Sequence, residues 1–302
     1  MKTIITGCNG LLGQNLVASY KNKEKISGID IADRKFVDNK KFTYFKCDIT
    51  DRNALRDTIV ELEPEWIIHT AGYTNVDGAE TEKELCWNVN VTGAENIAYA
   101  ARKARAKIIH ISTDYIFDGK DGPYTEDFRP NPLGYYARSK LAAENIIRGS
   151  ELDHTIVRIM VLYGYGRNLR DNFVTWLIKK LKKNESVNIV DDQIGNTTFA
   201  EELAQSIWKI VEKNKFGVYN IAGSEIIDRY SFALKVAEVF KLKKDLINPI
   251  KTEMLAQPAP RPLNSGLIID KAKEELGIRM SDAEGGLQKF KQQLRKQNSD
   301  LI

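Results

Sequence analysis

Cysteine is scarce. The 302-residue chain has three, Cys8, Cys47 and Cys86, an odd number with no Cys-x-x-Cys spacing. That excludes a disulfide framework and offers no metal-ligand pattern, so they read as small buried residues and no metal is assigned. Long apolar runs are absent too, since none reaches the ~18–20 residues a membrane span needs. A strand-like run, Lys2-Thr3-Ile4-Ile5-Thr6, begins at once and leaves no room for a signal peptide, so a cytoplasmic protein is expected. There is no basic block: 45 Lys and Arg against 41 Asp and Glu leave a dispersed net charge of +4. Neither nucleic acid nor a membrane is therefore the expected partner. Internal repeats, low-complexity tracts and flexible linkers are also missing.

What remains is an ordinary soluble composition, 42% hydrophobic and 28% charged, in a chain long enough for two domains or one large α/β domain. Alternating residues 2–6 run into Gly7-Cys8-Asn9-Gly10-Leu11-Leu12-Gly13 and then a helical pattern from Gln14 to Tyr20. Glycines in such a strand-to-helix turn allow a positive φ, close approach of backbone to a pyrophosphate and tight helix packing, and the helix N–H groups face the anion. The next strand, 26–30, ends in Asp30, 17 residues after Gly13, where a carboxylate bonds both ribose hydroxyls of NAD(H). A 2′-phosphate is repelled there, yet Arg34 and Lys35 can pair with one, so NADP(H) stays open.

Strand 43–47 ends at Asp48-Ile49-Thr50-Asp51, with Thr50 or Asp51 as helix cap and Asp48 as cap or adenine contact. The unbroken apolar strand 65–70 opens onto Ala71-Gly72-Tyr73-Thr74, small residues that let a cofactor pass. Residues 80–105 carry one helical periodicity. Strand 107–112 delivers Ser112-Thr113-Asp114-Tyr115 to the edge already holding the glycine turn. A Pro-rich loop follows, too long for a simple connector and suited to covering substrate. A helix from Gly134 and a sixth strand, 154–160, complete the pattern.

Tyr136-Ala-Arg-Ser-Lys140 places a phenol and an ammonium at i and i+4 on one helix face. A cation beside a phenol favours the phenolate and brings its pKa toward the working range. With 12 tyrosines, about one such pair is expected by chance, and Tyr99-Ala-Ala-Arg-Lys103 is a second. That rival precedes the fifth strand with nothing catalytic nearby, whereas Tyr136 and Lys140 follow it and can reach Thr113.

Beyond residue 165 the regular βα repeat gives way to helices at 171–183, 199–213 and 229–240 and strands at 187–191 and 216–221. The expected architecture is α/β, a doubly wound parallel sheet of the Rossmann type in 1–165. A smaller substrate-binding lid follows in 166–302, with some elements free to return to the first domain. Arg261, in the rigid segment Pro258 to Gly266, is the best candidate for an anion contact. Ser281-Asp-Ala-Glu284 reads as a capping box opening the last helix.

These segments together resemble the extended short-chain dehydrogenase/reductases, and within them the dTDP-4-dehydrorhamnose reductase (RmlD-like) group. The resemblance rests on Gly7 to Gly13, Ala71 to Asp77, Ser112 to Gly119, Tyr136 to Glu144, Val190-Asp-Asp-Gln193 and Arg261 to Ser265. It implies an NAD(P)H-dependent reductase of a 4-keto-6-deoxy sugar nucleotide. In that reading Tyr136 gives the proton, Lys140 lowers its pKa and holds the nicotinamide ribose, and Thr113 bonds the substrate oxygen. It implies substrate contacts at Val76, Asp77, Asp114, Tyr115, Phe117 and Arg261, a structural role for Asn90, and a homodimer. Some members bind Mg2+ at a dimer contact, and no carboxylate cluster here can be assigned to it. Related dehydratases carry Asp-Glu after the threonine; Asp114-Tyr115 disfavours dehydration. The chain departs from the group at Gly195-Asn196-Thr197-Thr198, usually Gly-Ser-Pro-Thr, and at Arg229-Tyr230, usually Trp-Tyr. The alternatives are a non-catalytic regulatory subunit like the methionine adenosyltransferase partner, which also resembles this group, and a sugar-nucleotide epimerase.

Overall fold

The computed structural model describes residues 2–20, 26–37, 39–40 and 42–301. Seven parallel strands form the main sheet: β1 (Thr3–Thr6), β2 (Ile26–Asp30), β3 (Phe42–Lys46), β4 (Trp66–His69), β5 (Lys107–Thr113), β6 (His154–Ile159) and, from much later in the chain, β11 (Gly217–Asn220). Their spatial order is β11-β6-β5-β4-β1-β2-β3. The order reverses between β1 and β4, and ligands of such sheets bind outside the strand ends at that reversal. Strands buried on both faces are apolar throughout, as in Trp66-Ile67-Ile68, all at most 1% exposed.

One face is covered by α1 (Leu11–Ser19) and by α7 (Ala200–Lys213), whose Trp208 Nε1 donates to Leu16 O at 3.1 Å. The other carries α2 (Arg52–Leu62), α4 (Gly93–Ala104) and α5 (Tyr135–Arg148), with Ile4, Leu55, Ile97 and Ile147 in a shared core. The lid builds its own core from Leu177 of α6 (Phe173–Lys182), Val236 of α8 (Arg229–Phe240) and Phe290 of α10 (Ala283–Lys296). β11 pairs with β6 in the main sheet, so the chain after residue 165 serves both units.

The structure also differs from the sequence pattern. Residues 80–105 are not one helix: a short α3 (Lys83–Trp87) widens into a π turn over Asn88–Thr92 before α4. Asn90 in that turn accepts from Tyr73 N at 2.8 Å and donates to Ser139 Oγ at 2.9 Å. It ties the exit of β4 to the helix carrying Tyr136. Asp51, not Thr50, caps α2, accepting from Asn53 N and Ala54 N. Asp282, not Ser281, caps α10, while Ser281 Oγ donates to Glu202 Oε1 at 2.6 Å. The Pro-rich loop is no cover: Tyr124 within it is fully buried, stacks on Phe117 at 4.2 Å, and pairs its backbone with Gly266 and Ile268. β13 (Ile247–Ile250) escapes the sequence pattern because it holds Pro249; it pairs on one side only, where a missing N–H is tolerated.

Candidate active site

A cavity of about 900 Å3 runs across the strand ends from the glycine turn to the lid. At its first end Gly7 takes φ +68°, and a Cβ there would lie 2.6 Å from Ala71 N, so glycine is needed to bring β1 and β4 together. Gly13 does not line the cavity; a Cβ on it would meet Gly7 O at 2.3 Å, so its role is helix packing. Gly10 caps α1 without a side-chain bond, and no acid sits in the first turn. The N–H groups of that turn are thus available to an anion beside Leu11 and Leu12, both in the wall.

Asp30 lines the same end, its Oδ2 accepting from Asn9 N at 3.0 Å. Asn9 also holds the loop after β2, donating to Arg34 O at 3.0 Å and accepting from Phe36 N at 2.9 Å. Asp48 and Ile49 line the wall, with Asp48 Oδ1 accepting from Thr50 N at 2.8 Å. Ala71, Gly72 and Val76 are in the wall as well. Tyr73 is not: its backbone is held by Asn90, and its hydroxyl bonds Glu82.

At the far end Thr113, Asp114, Tyr115, Tyr136 and Lys140 converge on the cavity. Glu80 Oε1 accepts from Tyr135 N at 2.7 Å and so caps α5 from a distant turn, fixing where Tyr136 begins. Tyr136 is 8% exposed, and its ring meets Tyr115 edge-on at 6.1 Å. Burial pushes its phenol well above the usual range, Asp114 adds to this, and a hydrogen bond with Thr113 opposes it. The phenol therefore keeps its proton in the chain by itself. Lys140 Nζ donates to Ile111 O at 2.6 Å, and burial lowers its pKa to about 8. Thr113 donates to Asp114 Oδ1 at 3.0 Å. It offers the cavity a lone pair, which leaves Tyr136 as the better proton donor.

Asp114 is 3% exposed and its Oδ2 accepts from Ser265 Oγ at 2.7 Å. Burial raises its pKa to about 6, against the lowering effect of Ser265 and Thr113. A carboxyl raised on folding destabilises the protein above the folded pKa, and the penalty vanishes below the unfolded one. A rise of about two units is worth about 3 kcal/mol. Asp114→Asn is thus expected to gain melting temperature over wild type at pH 8, with the gap closing as pH falls from 6 to 4. A pH-independent gap would contradict a buried ionised Asp114.

Three residues expected at the substrate lie outside the wall. Phe117 is 1% exposed and is core, held between Tyr124 and the Arg158 guanidinium. Asp77 and Arg261 are brought to each other instead, Nη2 to Oδ2 at 2.9 Å, and Arg261 Nη1 donates to Ala259 O. Arg261 packs over Tyr115, so its effect on the cavity is indirect. Among the residues that the sequence left unassigned are several from the lid: Leu169, Asn172, Phe173 and Arg229 in the wall, and Ser265 behind Asp114. Arg229 carried a signal, its departure from the usual tryptophan. The other departure has a structural role: Asn196 accepts from Leu267 N and donates to Gly223 O, both at 2.7 Å.

Tyr99 of the rival pair sits on the surface of α4 between Arg52 and Lys103. The three cysteines are buried and free, and burial pushes the Cys8 thiol up to about 12. Among the described residues no group of three His, Cys, Asp or Glu could hold a metal, and no helix is long and apolar enough to cross a membrane.

Residues 1–296 match the sequence family described as the RmlD substrate binding domain. The chain is 30% identical to a dTDP-4-dehydrorhamnose reductase of Aggregatibacter actinomycetemcomitans, over 96% of this chain and 98% of that one. It is also 30% identical to methionine adenosyltransferase 2 subunit beta of Xenopus tropicalis, over 92% and 83%. Among solved structures, dTDP-4-dehydrorhamnose reductase from Bacillus anthracis, in complex with NADP, superposes with a TM-score of 0.85 at 31% identity, covering 96% of this chain and 98% of that one.

Proposed function

Because the chain belongs to the RmlD substrate-binding family, we propose that it is an NAD(P)H-dependent reductase of a 4-keto-6-deoxy sugar nucleotide, similar to dTDP-4-dehydrorhamnose reductase. The observation that carries this is the single cavity joining the glycine turn to a buried, protonated Tyr136 beside Thr113. The residues present fit a dinucleotide. The uncapped first turn of α1 takes the pyrophosphate, Asp30 a ribose, and Ala71 and Gly72 leave room for the chain of the cofactor. Reduced nicotinamide supplies the hydride that the carbonyl carbon needs.

Tyr136 delivers the proton to the carbonyl oxygen, giving the alcohol and a phenolate. Lys140, its Nζ held by Ile111 O, places positive charge behind that phenolate and can hold a ribose hydroxyl with its other N–H groups. Thr113 bonded to Asp114, with Ser265 bonding the other oxygen of Asp114, forms a rigid polar wall against which the sugar is oriented. The tyrosine following Asp114, where a glutamate would serve elimination, supports plain reduction.

The test is loss of NADPH or NADH absorbance with dTDP-4-dehydrorhamnose. Asp30→Asn is expected to shift the preference toward NADPH by roughly tenfold, since a bond to a charged group is worth about 1.5–3 kcal/mol. An unchanged ratio would remove Asp30 from the ribose site. The similarity to methionine adenosyltransferase 2 subunit beta supports a second reading, a cofactor-binding regulatory subunit. Failure to turn over any keto-sugar nucleotide with either cofactor, together with a stable complex with another protein, would favour it.

A further inference from the structure

Under the reductase reading, the substrate brings a diphosphate into the cavity along with its keto sugar, and that charge needs a partner out of bulk water. Among the described residues three cations stand in the wall. Lys140 is turned to Ile111 O beneath Tyr136, and Arg170 Nη2 donates to Thr74 Oγ1 near the exit of β4. The third is Arg229, the first residue of α8, on the lid side next to Tyr115.

Arg229 feels the charge of Asp114 but is bonded to no acid. Its backbone N–H donates to Gln193 O at 3.1 Å, and its guanidinium lies against the Phe173 ring at 5.7 Å. Among the described residues no carboxylate forms an ion pair with it. The acids nearby are committed: Asp228 caps α8 by accepting from Ser231 N at 2.8 Å, Asp114 bonds Ser265 and Thr113, and Asp77 bonds Arg261. A cation at the positive end of a helix is poorly placed for stability, and burial works against it further. A ring on its face leaves its N–H edge open, the fork that accepts two oxygens of a phosphate.

We propose that Arg229 is the residue that reads the diphosphate of the sugar nucleotide, in place of the Asp77-paired Arg261. The ligand is a nucleoside diphosphate group, whose paired phosphate oxygens fit the fork of the guanidinium; an acid on the sugar is the competing outcome of the test.

Calorimetric binding of dTDP and dTMP to the NADPH complex tests this without turnover. Arg229→Gln is expected to weaken dTDP by about 30-fold or more, as for truncation of one partner in a desolvated charge pair. dTMP and NADPH should stay within about twofold. Arg229→Lys, which keeps the charge, should recover part of the loss, and it tests the same point if the glutamine variant does not fold. Unchanged dTDP binding in either variant would overturn the proposal, as would equal losses for dTDP and dTMP. So would a loss confined to sugar nucleotides carrying a carboxylate on the sugar. If dTDP binds through Arg229 but no keto sugar is reduced, the reductase reading fails and the assignment of Arg229 stands.

Discussion

Tyr136→Phe is expected to lower kcat by about 10²–10⁴ while KM and cofactor affinity change little, the range for removing a positioned acid. The substitution deletes one hydroxyl and keeps the ring packed edge-on against Tyr115, so a structural explanation of the loss is unavailing. The direction follows from the site's electrostatics. Burial and the Asp114 charge keep the phenol protonated, which suits a donor to a carbonyl oxygen. Thr113 already donates its hydroxyl hydrogen bond to Asp114, so it is the poorer donor to a carbonyl oxygen. Steady-state kinetics of the purified variant check this; retention of more than a tenth of the wild-type kcat would assign the proton to another group.

The second large effect lies one helical turn away from Lys140. Glu144 and Arg158 are 0% and 1% exposed and form a two-bond pair, Nε to Oε1 at 3.1 Å and Nη2 to Oε2 at 3.0 Å. Arg158 Nη1 also donates to Glu126 O at 2.9 Å. Burial pushes the Glu144 carboxyl up, but the Arg158 guanidinium outweighs it and holds it below its usual range. Removing one partner leaves the other charged and buried, which costs about 3–5 kcal/mol. Glu144→Leu alone is expected to lower the melting temperature by roughly 10 °C, since 1 kcal/mol corresponds to about 2–4 °C at this size.

The double variant Glu144→Leu with Arg158→Met should recover much of that loss, because a packed apolar pair is often as stable as a buried ionic one. The pair joins α5 to β6, so Glu144→Leu should also lower kcat by displacing Tyr136. Scanning calorimetry of Glu144→Leu, Arg158→Met and the double variant decides. Additive losses in the double variant would mean that the pair is not the source of the effect.

The parallel sheet and its cofactor end were legible in the sequence because they depend on local patterns. The glycine turn, apolar strands and helix periods each follow from a few neighbouring residues, and Gly7, Asp30 and Ala71 stand where that pattern puts them. The substrate end was less so. Phe117 and Arg261 have the right chemistry for a pocket, yet one is stacked in the core and the other is bound to Asp77, partners 7 and 184 residues away in the chain (Phe117 to Tyr124, Arg261 to Asp77). The π turn that aims Asn90 at Ser139 was hidden as well, since one extra residue in a turn barely disturbs a helical period.

By itself, then, the sequence determined most element types, the parallel α/β class and the Tyr136 and Lys140 helix face, all of them written in local pattern. Tertiary structure decided which polar groups face the cavity free. Lys140 turned to a backbone carbonyl, Asp114 to Ser265 and Arg261 to Asp77, while among the described residues no carboxylate forms an ion pair with Arg229. A buried polar group takes the nearest partner that the folded chain offers, and that partner is fixed by long-range packing rather than by spacing.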